Sequence, residues 1–180
     1  MGFDGGHIIS ADIRVADKKT DDNKIGYNYR FRYFKVNDGL GYSADVVGDR
    51  NSTTALAGAI YKFQVNDNIS IFPMLFVGRT SIKDDVQLPA LPLNETYSSS
   101  NLAQAGVYAM YRFDAGHWVY VNPKATYIAA VKDTVTQVEM GGGFMVSDSV
   151  SLGVKVDYTA KGGLMTEDDT TTWVQANIYF

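Results

Sequence analysis

The feature that most constrains this chain is a two-residue period in which one of the two alternating rows carries no charge in any segment. The last ten residues, "TTWVQANIYF", place Thr172, Val174, Ala176, Ile178 and Phe180 on one side and Thr171, Trp173, Gln175, Asn177 and Tyr179 on the other. Successive side chains of a strand point to opposite faces, so this is a strand with one apolar face. Nine earlier segments repeat the pattern, with apolar rows taken at every second residue through 9–15, 25–33, 40–46, 55–65, 69–77, 103–113, 119–131, 138–146 and 150–158. The opposite rows hold the charges: Asp12, Arg14, Arg30, Arg32, Asp45, Lys62, Arg112, Lys124, Glu139, Lys155 and Asp157, with Gln64, Gln104, Gln137 and Asn177 among them.

Short connections alternate with longer ones. "NDG" (37–39), "NDN" (66–68), "DAG" (114–116) and "SDS" (147–149) are made of residues that tolerate tight hairpin angles. Between them fall longer polar stretches: "DKKTDDNK", "GDRNST", the segment from about Arg79 to Asn101, "KDT" and "KGGLMTEDDT". Ten strand-length segments joined in this way predict an all-β, antiparallel, up-and-down β-barrel of ten strands, with residues 1–180 as its single domain.

Alternation requires that the apolar face be covered, but it does not say by what. A soluble, lipocalin-like binder turns that face inward; a transmembrane barrel turns it to lipid. Three features select lipid. The connections are tight on one edge and long on the other. Phe31, Tyr33, Tyr61, Phe63, Tyr111, Phe113 and Phe144 fall just before short turns, at the level of one interface, as an aromatic girdle does. Phe180 ends its strand at that same level, so closing the last strand on the first would leave no unpaired edge in the bilayer. Bulk properties fit an exported chain. There is no cysteine, which removes disulfide scaffolds and thiolate metal sites, and the pI near 5.0 with a net charge of −4 argues against nucleic acid as a partner. "MGFDGGH" has neither a basic start nor an apolar stretch, so the sequence reads as a mature form with an added Met1.

The chain as a whole, and "VQANIYF" in particular, resembles the small outer-membrane β-barrels of Gram-negative bacteria, the porin-like superfamily, whose members commonly end in an alternating strand with a terminal Phe. The resemblance covers about residues 7 to 180. It implies location in the bacterial outer membrane and lipid and lipopolysaccharide as surroundings. It further implies that Val174, Ala176, Ile178 and Phe180 form the C-terminal signal read by the barrel-assembly machinery. The best known small members have eight strands, which is the alternative to the ten counted here. The barrel is expected to be a monomer.

No catalytic constellation accompanies this pattern. The omptin proteases, ten-stranded members of the same class, carry a His and acidic residues at the external rim, whereas His7 and His117 both fall at the short-turn edge. "GGG" at 141–143 lies within a strand, where glycine permits bending or close approach. The expectation is therefore no enzyme, no cofactor and no metal site, with function carried by the external loops. Asp21 and Asp22, Asp84 and Asp85, and Glu167, Asp168 and Asp169 could bridge to lipopolysaccharide through divalent cations or simply be solvated. "VQLPALPLNETY" is apolar enough to act as a lid or an adhesive patch. The inward charges admit two readings: a closed network that fills the lumen together with Phe34, Phe72, Phe76, Tyr108, Trp118, Tyr120 and Trp173, or the lining of a narrow porin-like channel.

Overall fold

The structure, a computed structural model, describes residues 7–19, 25–37, 39–82, 98–148, 150–161 and 167–178, with side-chain surroundings from Tyr27 on except at Asn37, Gln175, Asn177 and Ile178. Every regular element is a strand: β1 (His7–Lys19), β2 (Ile25–Asn37), β3 (Leu40–Asp49), β4 (Ser52–Tyr61), β5 (Phe63–Gln64), β6 (Ile69–Ile82), β7 (Ser99–Arg112), β8 (Trp118–Ile128), β9 (Asp133–Ser147), β10 (Val150–Thr159) and β11 (Asp169–Ile178). Each pairs antiparallel with its chain neighbour in one sheet, and the two-residue β5 continues β4 along the same partner, β6. The fold is therefore ten antiparallel strands, up and down, curled into a half-barrel.

Two prolines punctuate the ladders. The β4–β6 pairing stops at Ile60 with Met74 and resumes at Phe63 with Ile71, so Pro73 stands in the gap. The β7–β8 pairing lapses between Gly106 with Lys124 and Ala109 with Val121, around Pro123. A proline has no N–H to give, so a ladder passing it loses a bond on that side.

The period of two sorts the side chains as the alternation requires. Leu75 and Val77 are each 68% exposed, and Tyr42, Phe63, Val107, Val121, Phe144, Val154 and others of the apolar rows are exposed with them. The charged row is the buried one, with Asp45 only 3% exposed and Glu139 only 5%. The sheet thus curls with its apolar face convex and its polar face concave. Part of the concave face is nonetheless apolar: Leu56, Phe76, Leu102 and Ile128 pack together, and Val36, Ile60 and Phe72 form a second cluster with Phe34 and Tyr108 against it.

The strands are staggered. A row drawn straight across the ladders from His7, the first residue of β1, passes Lys35, Tyr42, Ala59, Leu75, Ala105, Ala125 and Thr136. It continues to Ala160, whose N–H donates to the Thr136 carbonyl, just past the end of β10. One edge of the sheet at β1 is therefore level with the opposite edge at β10.

The expected turns form at the short edge. Gly39 and Gly116 take φ of 89° and 81°, and the Asn66 side-chain oxygen accepts the N–H groups of Asn68 and Ile69. At the other edge two connections are tighter than expected. "GDRNST" is a hairpin in which Gly48 already pairs with Thr53, because the Asp49 carboxylate accepts the N–H groups of Asn51 and Ser52 and locks the corner. "KDT" belongs to a turn of residues 129–132 with Lys132 at a φ of 53°. The length asymmetry between the edges is carried by the connections from β6 to β7 and from β10 to β11, while the one from β1 to β2 is as short as that from β7 to β8.

Candidate functional site: the concave charge layer

Strand pairing brings the concave charges together from two walls. On the β2–β3 wall, Arg32 lies opposite Asp45 and Arg30 is two residues away on the same face. Both arginines converge on the one carboxylate. Arg30 Nε donates to Asp45 Oδ1 and Oδ2 at 3.1 and 3.0 Å and its Nη2 to Oδ2 at 2.6 Å; Arg32 Nε and Nη2 donate to Oδ2 at 3.0 and 2.8 Å. The guanidinium of Arg32 also sits 5.1 Å over the Phe34 ring. Two adjacent like charges are tolerable there because a buried carboxylate compensates them at short range.

On the β8–β10 wall, Asn122, Glu139 and Asp157 occupy one cross-strand row. Facing carboxylates repel, and cations surround them. Lys155, two residues before Asp157, reaches its Oδ2 at 3.6 Å and lies 4.7 Å over the Trp173 ring. Lys124 and Tyr120 act on Glu139 from the β8 side, and Lys124 acts on Asp157 as well. Three buried acceptors have no hydrogen-bond donor among the described residues: Glu139 Oε2, Asn122 Oδ1 and Ser43 Oγ.

The walls meet. Arg30 Nη1 lies 3.9 Å from Glu139 Oε2, so one side chain touches carboxylates on β3 and on β9, strands well separated in the sheet. That contact places the two walls within a side-chain length of each other and makes a single layer of Arg30, Arg32, Asp45, Lys124, Glu139, Lys155 and Asp157.

Not every charge expected on this face joins the layer. Asp12 and Arg14 lie on β1 in register with Arg30 and Asn28, but their side chains fall outside the described residues. Lys62 sits at the break between β4 and β5, its N–H on the Gly39 carbonyl. Arg112 ends β7 at the short-turn rim, where it is exposed and its guanidinium donates to the Asp67 carbonyl at 3.2 Å. Of the C-terminal set, Val174 is 84% exposed and Ala176 is exposed, while Ile178 has a described backbone only and Phe180 falls outside the described residues.

The bulky inward residues and the triple glycine belong together. Tyr108 stacks on Tyr120 with ring centroids 4.7 Å apart, and Phe72 meets Tyr108 edge-on at 5.9 Å. A Cβ added at Gly141 would lie 2.9 Å from the Tyr120 ring, and one at Gly143 would lie 2.5 Å from that of Trp118. The run is thus a flat seat for two rings. Sequence reasoning passed over Asn122; its position on the inward row was the available signal, but its burial without a donor is a tertiary fact.

The convex face bears aromatic pairs at the short-turn edge, Tyr61 with Phe63 at 4.5 Å and Tyr111 with Phe113 at 4.8 Å, and the exposed Tyr27, Tyr127 and Tyr158 near the other edge. His117 is exposed beside its turn, 6.3 Å from Phe144. Asp21, Asp22, Asp84, Asp85 and the whole of "VQLPALPLNETY" lie outside the described residues. Glu167, Asp168 and Asp169 are exposed, and the Asp168 carboxylate accepts the Lys161 N–H at 2.6 Å. Among the described residues no group of three or more His, Cys, Asp or Glu is placed to hold a metal ion. The chain matches no protein-family model, no curated protein and no solved structure.

Proposed function

We propose that this protein is an integral outer-membrane β-barrel, a monomer surrounded by lipid and lipopolysaccharide, that acts as a structural or surface-interaction protein through its external loops. The observation that carries the reading is the inversion of the sheet: its apolar row is convex and exposed while its charges are concave and buried. In water such a face would be a very large exposed apolar patch; in a bilayer it is the required surface. The aromatic edges support it further. Tyr111 is level with Val119, and Tyr127 lies eight residues along the same strand. At about 3.3 Å per residue and a strand tilt of about 40°, that step spans roughly 20 Å along the membrane normal, near the ~25 Å of an outer-membrane apolar band.

In this reading β11 closes on β1, and the alternating C-terminal strand serves the barrel-assembly machinery. The concave layer, together with Phe72, Phe76 and Tyr108, fills the interior, which at about ten strands is near the size that side chains can occupy. The loops, not a catalytic centre, then carry the function. Secreted in a Gram-negative host, the protein should appear in the outer-membrane fraction, and unheated samples should migrate on a gel as a distinct folded band. Recovery as a detergent-free soluble protein with a single heat-independent band would refute the proposal.

A further inference from the structure

We propose that the concave layer is a shut path for small monovalent anions, latched by the contact between Arg30 and Glu139; this rests on the membrane-barrel reading. The latch is the weakest link in the layer. At 3.9 Å it is an ion pair without a hydrogen bond, and the Glu139 oxygen it faces accepts none from any other described residue. Arg30 does not need it, since its three hydrogen bonds to Asp45 are complete on its own wall. Glu139 does not need it either, since Tyr120, Lys124 and Lys155 remain on the opposite wall. Withdrawal of one guanidinium toward Asp45 therefore separates the walls while leaving each internally compensated.

The path so opened runs between the β2–β3 wall and the β8–β10 wall; the apolar clusters centre on β4, β6 and β7 and reach those walls at Phe34 and Val36 of β2, Ile128 of β8 and Val135 of β9. Its sign is positive. The described layer holds four cations, Arg30, Arg32, Lys124 and Lys155, against three carboxylates, Asp45, Glu139 and Asp157. In a narrow, low-dielectric passage one uncompensated charge suffices to favour the opposite ion.

The test is planar-bilayer conductance in a potassium chloride gradient, on wild type, Glu139→Gln and Arg30→Gln. Wild type should be nearly silent, with rare brief openings. Both variants should conduct several-fold more, because each removes one side of the latch. Their selectivity should differ: Glu139→Gln removes a carboxylate and should favour chloride strongly, whereas Arg30→Gln equalises the charges and should lose the preference. If Arg30→Gln does not fold, Arg30→Lys, which keeps the charge but shortens the reach, should open with the chloride preference retained. Folded variants as silent as wild type would overturn the proposal in favour of a static plug, and so would an open state that prefers potassium. Failure of the membrane reading itself would show separately, as wild-type protein that does not float with liposomes.

Discussion

Closure of the barrel can be tested at the level of register, because the stagger of the sheet predicts which residues must meet. The row that begins at His7 on β1 reaches Ala160 beyond β10, and one step past the last β10–β11 pair, Thr159 with Asp169, lies Asp168. Phe180 is about 12 residues further along the chain. A barrel with a level rim therefore has to close with a slip of about 12 residues, bringing Ile178 opposite Ile9 and Val174 opposite Ile13. The geometry is self-consistent: a slip of about 12 residues at ~3.4 Å each, over ten strands ~4.8 Å apart, corresponds to a tilt near 40°, within the usual range of about 35–45°. The chain has no cysteine, so introduced pairs report cleanly. Val174→Cys combined in turn with Ala11→Cys, Ile13→Cys or Val15→Cys should give a disulfide efficiently only with Ile13→Cys. Directly opposite residues lie about 5 Å apart at Cα, whereas a displacement of two residues gives about 8 Å, beyond the roughly 7 Å that a disulfide can bridge. Oxidation in folded, detergent-purified protein, scored by a gel shift reversed by reductant, decides among them. A dominant Ala11 or Val15 product would mean another shear, and no product at all would mean that β1 and β11 do not meet.

Three further outcomes follow from the described contacts. Val121→Arg, on the exposed convex row, should destabilise refolding into lipid by about 2–4 kcal/mol, more than Gln104→Ala, which removes only the 2.7 Å bond to Thr126; the reverse ranking would mean that the faces are inside out. Asp45→Ala leaves two half-buried arginines on one wall without their buried carboxylate and should cost roughly 3–5 kcal/mol, read from urea unfolding in detergent, with an unchanged midpoint showing the pair to be solvated. Gly143→Ala pushes a methyl into the Trp118 ring and the Leu152 carbonyl and should cost about 1–3 kcal/mol, visible as a changed Trp fluorescence and a lower unfolding midpoint; wild-type values for both would show that the ring does not need its glycine seat.

Much of the fold was legible along the chain because a strand's faces are set by parity alone. Charge-free odd or even rows such as Ala55 to Val65 and Val119 to Val131 needed no long-range information to declare one face apolar, and tight-turn residues at "NDG" and "DAG" marked where strands reverse. Strand count followed from the same signals. Turn lengths were harder: "GDRNST" looks like a loop, but one carboxylate, that of Asp49, closes it into a corner through bonds that composition does not reveal. The breaks at Pro73 and Pro123 were visible as prolines, yet which ladder each would interrupt depended on the pairing.

The candidate layer divides in the same way. Parity assigns Arg30, Arg32, Asp45, Lys124, Glu139, Lys155 and Asp157 to one face, and local spacing foretells that Arg30 and Arg32 need an acid nearby. It is register that makes Asp45 that acid and sets Glu139 against Asp157, and it is curvature that carries Arg30 across to Glu139. Arg112 shares the parity but not the layer, because its height on the strand puts it at the rim. A sequence with period two determines the side of the sheet on which each residue lies; only the tertiary structure, by fixing stagger and curl, decides the height of each charge and which distant strand it meets, since those depend on pairings summed over the whole sheet rather than on any neighbour in the chain.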